Sequence, residues 1–262
     1  MLRKFFPDHI AYGLAQAAIA AALAIIVVLA ARFRRIHLER ELAIALVRGL
    51  LQIIAVGSVL ILLLHGPGWS SIFLLAGMIV AAAATSARRT KKIPGSFRLS
   101  AYAIGAGSGS VIALMTWAGV IEGSITSVVP VGSMLIANAM NSNAIALERF
   151  RSDVLARVGE IESALALGAS SDVSVSPMVQ NSFQASLIPA IDNLRSLGIV
   201  WIPGLMAGMV LSGSPPLYAA IYQFVVIAMI FASSGLTCLI STSLVRKNIF
   251  SPAGQLLLRS NE

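Results

Sequence analysis

The chain alternates long apolar runs with short polar segments. Seven runs of about 20 apolar residues occur, which is the length that an α-helix needs to cross the hydrocarbon core of a bilayer. Charged residues enter only the second run, as Arg48, and the sixth run, as Asp192 and Arg195. The pattern therefore predicts an all-α polytopic membrane protein with about seven transmembrane helices, over residues 10–31, 42–64, 69–87, 99–121, 127–147, 191–211 and 217–245.

The segments between these runs carry basic residues on alternate sides. Four arginines follow the first run, five basic residues follow the third, three follow the fifth and three follow the seventh, whereas the other three connections contain no lysine or arginine. Short basic loops stay in the cytoplasm, so the N-terminus is expected outside and the C-terminus inside. Only Arg3 and Lys4, before the first run, count against this orientation. The first run is too long for the apolar part of a signal peptide, so no targeting peptide is expected. The chain is predicted to be multi-pass in an inner or plasma membrane.

Composition excludes several classes of protein. Of 262 residues, 57% are hydrophobic and 11% are charged, and the mean hydropathy is +0.86. Soluble domains carry about 25% charged residues, so a soluble, disordered, coiled-coil or secreted disulfide-rich protein is excluded. The net charge of +8 is explained by the basic loops, and nucleic acid is not an expected partner. Because Cys238 is the one cysteine, neither a disulfide nor a structural zinc site is expected.

The segment 148–187 is predicted to be cytoplasmic, because it lies on the basic side and is too long for a simple connector. Asp153 is expected to cap an amphipathic helix here, and Gly168 is expected to end it. A further helix should start near Ser171, and Pro177 should begin or interrupt it. The apolar stripe of the amphipathic helix consists of Val154, Val158, Ile161 and Leu165.

The opposite face of this amphipathic helix is polar, with Arg157, Glu160 and Glu162. Such a face is available to a protein partner. The alternative is a helix that rests on lipid headgroups, although two glutamates disfavour contact with an anionic surface.

Charged residues within the apolar runs are candidates for function. A charge in a span costs about 2.5–3.5 kcal/mol on insertion scales, so Arg48 should face a structural partner or a wet transport path, and both remain open. Asp192 and Arg195 are spaced to pair with each other near the cytoplasmic surface. Pro189 should break the helix where the cytoplasmic segment enters the membrane, which favours a gate or coupling role for all three residues.

Met134, Asn138 and Asn141 recur at helical spacing and form one stripe in the fifth run. Carboxamide oxygens and a thioether sulfur offer a cation weak, exchangeable ligands, so this stripe is a candidate substrate path. The alternative is structural, because buried Asn links membrane helices and Met fills gaps between them. Weaker candidates of the same kind are Met206, Met209 and Gln223.

Two glycine patterns have no catalytic meaning here. Gly105 and Gly109 lie in an uncharged run, so their G-x3-G spacing predicts the close approach of another helix rather than a phosphate loop. No Gly-Lys pair occurs, so the chain has no Walker motif and cannot supply an ATP site of that kind.

Several short motifs occur together in a fixed order. Glu162, Ala164 and Gly168 have the spacing E-x-A-x3-G, which resembles the segment by which ABC permeases dock on their ATPase subunit. With the other motifs, the chain from about 40 to 246 resembles the family of bacterial iron-export permeases and plant aluminium-tolerance permeases. One difference is that the helix after Gly168, commonly basic in the family, carries Gln180, Asn181 and Gln184. The other motifs are Arg48-x3-Gln52, Pro130-x3-Met134-x3-Asn138-x-Met140-Asn141, Leu187-Ile188-Pro189-x2-Asp192 and Ile202-Pro203-Gly204-x-Met206.

The resemblance implies one transmembrane permease domain over residues 1–262, acting as the transport subunit of an ABC exporter and not as an enzyme. It implies a second copy of the chain, a separate ATPase that holds ATP and Mg, no cofactor on this chain, and outward transport of a metal ion, most often iron. Docking would use Arg157, Glu160, Glu162, Ala164 and Gly168, and the path would use Arg48, Gln52, Met134, Asn138, Asn141 and Met206.

Three other functions remain open. The first is ABC export of a nucleotide-sugar or other organic substrate, in which Arg48 would bind phosphate. The second is an ion-coupled secondary transporter, although inverted halves of similar sequence are not apparent. The third is a membrane-embedded enzyme, which is disfavoured because no His, Asp-pair or activated-Ser constellation occurs within the spans.

Overall fold

The computed structural model describes residues 9–33, 39–64, 69–90, 93–251 and 254–258. The chain divides into two compact units, Met1–Gly66 and Pro67–Glu262. Within the described ranges the secondary structure is helical apart from two isolated β-bridges, and the predicted all-α class is confirmed. The helices there are α1 (His9–Phe33), α2 (Glu39–Leu64), α3 (Ser70–Arg89), α4 (Ser96–Trp117), α5 (Ile125–Ala156), α6 (Val158–Ala166), α7 (Ser171–Ser196), α8 (Gly204–Leu211) and α9 (Pro216–Asn248).

Seven of these helices contain 20 residues or more, namely α1 to α5, α7 and α9. Five of the seven, α1 to α4 and α9, are long and apolar enough to cross a membrane. The prediction of a polytopic membrane protein is confirmed. The remaining two, α5 and α7, have the length of a span but a more polar sequence.

The first unit is a pair of apolar helices, α1 and α2, that pack against each other. Ala17 and Ala21 of α1 and Ala45 and Gly49 of α2 line the groove between them. Small side chains of this kind allow two helices to approach closely in a membrane. No residue of the apolar stretches Gly13–Ala30 and Arg40–Val59 is buried. The pair therefore has no core of its own.

The second unit is built around α9, which packs against α4, α5, α7 and α8. Helix α3 completes the bundle by packing against α4 and α5. Two apolar cores lie along this bundle. The first core includes Ile104, Val111, Leu135, Val226 and Ile230, and the second core includes Leu99, Leu147, Phe150, Val154, Ile161, Val175, Met178 and Val245.

Basic side chains collect at the end of the bundle that holds the second core. Leu99 lies near the start of α4, Phe150 and Val154 near the end of α5, Val175 near the start of α7 and Val245 near the end of α9, so these termini share one level. We call this the basic end. Exposed aromatic residues, Trp69, Trp117 and Tyr218, lie at the other termini of α3, α4 and α9. The basic residues at the basic end are Arg88, Arg89, Arg98, Arg149, Arg151, Arg157, Arg246 and Lys247.

Helix α7 runs antiparallel to α9 over the same depth. Val175 packs with Val245 in the second core, and Leu194 packs against the first core, which contains Val226. Val175 and Leu194 on α7, like Val226 and Val245 on α9, are 19 residues apart along the helix. That separation corresponds to about 28 Å, which is close to the thickness of a hydrocarbon core. Much of the segment predicted to be cytoplasmic, from Ser171 onward, therefore lies alongside an apolar span.

The sixth predicted span, 191–211, is wrong as a single helix. Helix α7 ends at Ser196, and α8 begins only at Gly204. Between them the chain turns at Gly198, whose φ of 76° suits glycine, and the Gly198 N–H donates to the carbonyl of Trp201. The indole Nε1 of Trp201 donates to the hydroxyl of Ser196 at 3.1 Å, which holds this turn closed.

The prolines of α7 do not break it, contrary to prediction. Pro177 and Pro189 both lie inside the helix, which continues for seven residues beyond Pro189. A proline removes one backbone hydrogen bond, and packing of α7 against α5 and α9 maintains the helix around it.

The predicted start of a helix at Asp153 is also wrong. Helix α5 continues to Ala156, and Asp153 pairs with Arg149 one turn earlier, Nε to Oδ1 at 3.3 Å. Val154 is fully buried in the second core and keeps α5 helical to this point. The helix is interrupted at Arg157, which lies between α5 and α6. The end at Gly168 is confirmed, with φ of 92°, and so is a helix start at Ser171, where Ser170 is the N-cap.

Close packing at the glycine-rich part of α4 is confirmed, but at a different glycine. A Cβ on Gly107 would lie 2.7 Å from the backbone nitrogen of Thr237 in α9, whereas nothing lies within 4 Å of a Cβ on Gly109. A Cβ on Gly105 would make only an ordinary contact with Ile79, at 3.7 Å. Gly107 is therefore the point at which α4 and α9 meet.

We expect Gly107→Ala to lower the free energy of unfolding by about 1–3 kcal/mol, because the added methyl group separates two packed backbones. Gly109→Ala is the matched control on the same helix and should be neutral or stabilising. Thermal unfolding of both variants in detergent measures the difference. Equal midpoints would show that the bundle absorbs the methyl group at Gly107.

Candidate functional site

The stripe predicted in the fifth run lies on α5, but its members have different surroundings. Met134 is half-buried and packs against the first core. Asn138 is half-buried, and its Nδ2 donates to the carbonyl of Met134 at 2.8 Å. Asn141 is exposed. The thioether thus contributes to packing, whereas the oxygen of Asn138 and the whole amide of Asn141 remain available for other contacts.

A buried asparagine that sequence reasoning missed links three helices. Asn143 of α5 is fully buried, and its Nδ2 donates to the hydroxyls of Ser86 in α3 and Ser100 in α4, at 2.8 and 2.9 Å. Its Oδ1 has no partner among the described residues. Interhelical bonds of this kind stabilise membrane bundles. The sequence feature that could have indicated this link is the presence of serines in the neighbouring apolar runs.

Asp192 and Arg195 pair as predicted, with Oδ1 and Nη1 3.6 Å apart, and both side chains are exposed. They were predicted to lie near the cytoplasmic surface, on the side of the basic loops, and the structure contradicts that position. Leu194 packs against the first core, so the pair lies at the end of α7 farthest from the basic end. Pro189 lies one turn before the pair inside the same helix.

The short helix α8 packs against α9 and is hydrogen-bonded to one of its side chains. Gln223 is 3% exposed, and its Oε1 accepts a hydrogen bond from the backbone N–H of Met206 at 3.1 Å. The N-cap of α8, Pro203, makes no side-chain cap, so Gln223 satisfies an N–H that would otherwise lack an acceptor. Met206 itself is half-buried.

Arg48 and Gln52 lie one turn apart on α2 in the first unit, and both are exposed. They line a shallow groove on that helix together with apolar residues such as Val47 and Leu51. Among the described residues of this unit, no acidic side chain pairs with Arg48. A guanidinium in this groove can bind an anionic group.

Helix α6 projects the predicted docking residues at the basic end. Ile161 is buried in the second core, and Val158 and Leu165 pack against it, which confirms that part of the apolar stripe. Glu160 and Glu162 are exposed on the other side, and Arg157 lies 4.0 Å from Glu160. The polar face of α6 is therefore accessible.

A rigid turn ends α6 and presents an exposed leucine. The N–H groups of Gly168 and Ala169 donate to the carbonyls of Leu165 and Ala164, which is a Schellman turn. Leu167 lies within it and is 89% exposed. Sequence reasoning did not select Leu167, because a leucine beside an apolar stripe gives no indication that it points outward.

No group of three or more His, Cys, Asp or Glu residues that suits a metal ion occurs in the described ranges. Cys238 is buried in α9. The oxygen-bearing side chains of the candidate path, Gln52, Asn138 and Asn141, are all carboxamides.

The chain matches the model of an uncharacterised protein family, UPF0014, over residues 14–250. This chain belongs to the UPF0014 family. The family resemblance read from the motifs is confirmed. No solved structure matches the chain significantly.

Three curated relatives extend along most of this UPF0014 chain. STAR2 of Oryza sativa subsp. japonica, a UPF0014 membrane protein, is 32% identical, over 85% of this chain and 79% of its own length. The probable iron export permease protein FetB of Escherichia coli is 28% identical, over 92% and 93%. Protein ALUMINUM SENSITIVE 3 of Arabidopsis thaliana is 27% identical, over 93% and 90%.

We expect Asn143→Ala in this UPF0014 chain to lower the free energy of unfolding by about 1–2 kcal/mol, because two interhelical hydrogen bonds are lost. Asn141→Ala on the exposed side of α5 is the control and should change stability little. Thermal unfolding in detergent tests both variants. An Asn143→Ala protein as stable as the wild type would contradict a structural link at this position.

Proposed function

We propose that this chain is the membrane-spanning permease subunit of an ABC exporter that moves iron or another metal ion outward, powered by a separate ATPase subunit. The observation that carries the proposal is the similarity over nearly the full length of a protein named a probable iron export permease. The exposed helix α6 at the basic end supports it, because an ATPase partner needs such a surface. In this proposal the two units form one permease domain over residues 1–262, and two copies assemble.

The orientation that we propose places the basic end in the cytoplasm, with the N-terminus outside and the C-terminus inside. Lysine and arginine near the ends of spans favour the cytoplasmic side. Exposed Trp69, Trp117 and Tyr218 at the other end suit the opposite membrane interface, where amphipathic rings concentrate. The protein would thus be multi-pass in an inner or plasma membrane.

ATPase docking would use α6 and the turn that follows it. Arg157, Glu160, Glu162, Ala164 and Gly168 form this surface, and the preorganised Leu167 adds an apolar anchor at little entropic cost. Ile161 shares the second core with Phe150 of α5 and Val175 of α7. A shift of α6 on nucleotide binding would therefore move α5 and α7 together.

The transport path that we propose uses Met134, Asn138 and Asn141 on α5 and Met206 on α8. Arg48 and Gln52 on α2, in the first unit, stay predictions from the sequence. Pro189, Asp192 and Arg195 would act as a gate at the far end of α7. The non-helical stretch between the end of α7 at Ser196 and the start of α8 at Gly204 supports this role, because it interrupts the helix at this end. Movement there would open the outer side during alternating access.

The function is tested by reconstituting the chain with its ATPase subunit in liposomes and measuring ATP hydrolysis. With Fe²⁺ on the ATPase side, we expect faster hydrolysis and iron accumulation inside the inverted vesicles. An ATP-hydrolysing complex that does not respond to iron would overturn the iron assignment and retain the ABC assignment.

Glu162→Lys should weaken binding of the ATPase subunit at least about tenfold, equivalent to 1.4 kcal/mol, because it reverses a charge on the exposed face of α6. The measurement is co-purification of the two subunits at equal expression. Glu148→Lys is the control, since it makes the same charge change at the basic end but on α5. Undiminished co-purification of Glu162→Lys would remove α6 from the docking surface.

A second candidate function is ABC export of a nucleotide-sugar or another organic phosphate. The exposed Arg48 favours it, because its groove on α2 contains no acidic residue. Arg48→Gln would then abolish stimulation of ATP hydrolysis by the organic phosphate and spare any response to iron. An ion-coupled transporter would instead transport without the ATPase.

A further inference from the structure

The helices of the second unit differ in what they expose at membrane depth. Helices α3, α4 and α9 expose large apolar side chains, including Phe73, Leu114 and Phe224, each more than half exposed. No large apolar residue of α5 is exposed, and on α7 only Val173 and Ile188 are. Apolar exposure suits contact with lipid. Helices α5 and α7 therefore present a surface of another kind.

Carboxamides populate the exposed sides of these two helices. Gln180, Asn181 and Gln184 are exposed on α7, Asn141 is exposed on α5, and Asn138 is half-buried beside it. We call these five residues the amide face. On α5 the small residue Ala137, one turn before Asn141, is exposed as well.

The register of α5 against α7 orders the amides by depth. Val154 and Val175 share the second core, whereas Met134 and Leu194 both pack against the first core. Counting from these levels places Gln180 and Asn181 nearest the basic end, then Gln184, then Asn141, then Asn138. Successive levels are about 5 Å apart, since a helix rises 1.5 Å per residue. The amides thus occur at successive depths on two helices that pack against each other, and we call this series the ladder.

Such a ladder is unsuited to lipid, because an amide in hydrocarbon loses its hydrogen bonds to water. We propose that the amide face lines a water-filled path, and that the transported species passes with its own shell of water or organic ligands. This inference rests on the proposed transport function and adds α7 to the path.

The chemistry of the lining determines the class of substrate. Carboxamides both donate and accept hydrogen bonds, so they bind the outer surface of a hydrated or chelated species. Along the α7 side of the ladder, no carboxylate occurs between Asp172 and Asp192. Carboxylates and other strong ligands are the groups that typically replace the inner shell of water around a hard cation. A neutral ladder instead conducts a species that retains its ligands.

The test uses single cysteines, for which the chain is well suited because Cys238 is its one cysteine. In a Cys238→Ala background, Gln184→Cys and Asn141→Cys are compared with Leu236→Cys. Leu236 is exposed on α9 at about the depth of Gln184 and is expected to face lipid. Membranes that contain the complex with its ATPase are treated with Ag⁺ or with a charged, membrane-impermeant methanethiosulfonate.

We expect both reagents to modify the two amide-face cysteines at least about tenfold faster than the Leu236→Cys control, since the thiolate that reacts requires water. Reaction with Ag⁺ alone would overturn the substrate class, because the path would then admit only a bare ion. Slow reaction with both reagents, or an intersubunit disulfide in place of modification, would overturn the water-filled path.

Failure of this inference is distinguishable from failure of the proposed function. Modification of the amide-face cysteines in a chain with which no ATPase co-purifies would contradict the ABC assignment and would still support the water-filled path. An iron-stimulated complex whose amide-face cysteines resist both reagents would retain the function and remove the amide face from it.

Discussion

Polar groups at membrane depth must find polar partners, because hydrocarbon offers none. In the second unit this constraint divides the polar residues into two groups. Asn143 turns inward and binds Ser86 and Ser100, so its amide joins α3, α4 and α5. Asn141 and Gln184 face outward from the bundle. The inward group links helices of the bundle, and the outward group is exposed on its surface.

The second core determines how the basic end behaves mechanically. One apolar cluster contains residues from the C-terminal part of α5, from α6, from the start of α7 and from the end of α9. Interiors packed in this way transmit displacement rather than absorb it. Helix α6 is consequently more than a surface appendage, since it packs against α5 and α7 and Ile161 belongs to the core that they share with α9.

Much of the fold was predictable from apolar runs, and the exceptions have one cause. The runs 10–31 and 217–245 match α1 and α9 to within three residues, because helices that face lipid are apolar around most of their surface. The bounds of α7 were not predictable from apolar runs, because the helix carries amides on one face and apolar residues such as Val175 on the other. Its low mean hydropathy therefore gives no apolar run of the kind that marks α1 and α9.

The candidate site was predictable only in part. Spacing placed Met134, Asn138 and Asn141 on one side of α5, but periodicity does not say which asparagine faces the bundle. Asn143, two residues beyond Asn141, has the same chemistry and the opposite environment. Likewise, the spacing of Asp192 and Arg195 predicted their pairing, whereas their depth depended on where α7 begins.

Because α1 and α2 have no core between them, this part of the chain depends on what surrounds it. The two helices touch through alanine and glycine and keep their larger side chains outside. Whatever surrounds those side chains supplies the contacts that an interior would otherwise provide. The annular lipid or neighbouring protein is thus a structural component of this part of the chain, as solvent is for a soluble surface.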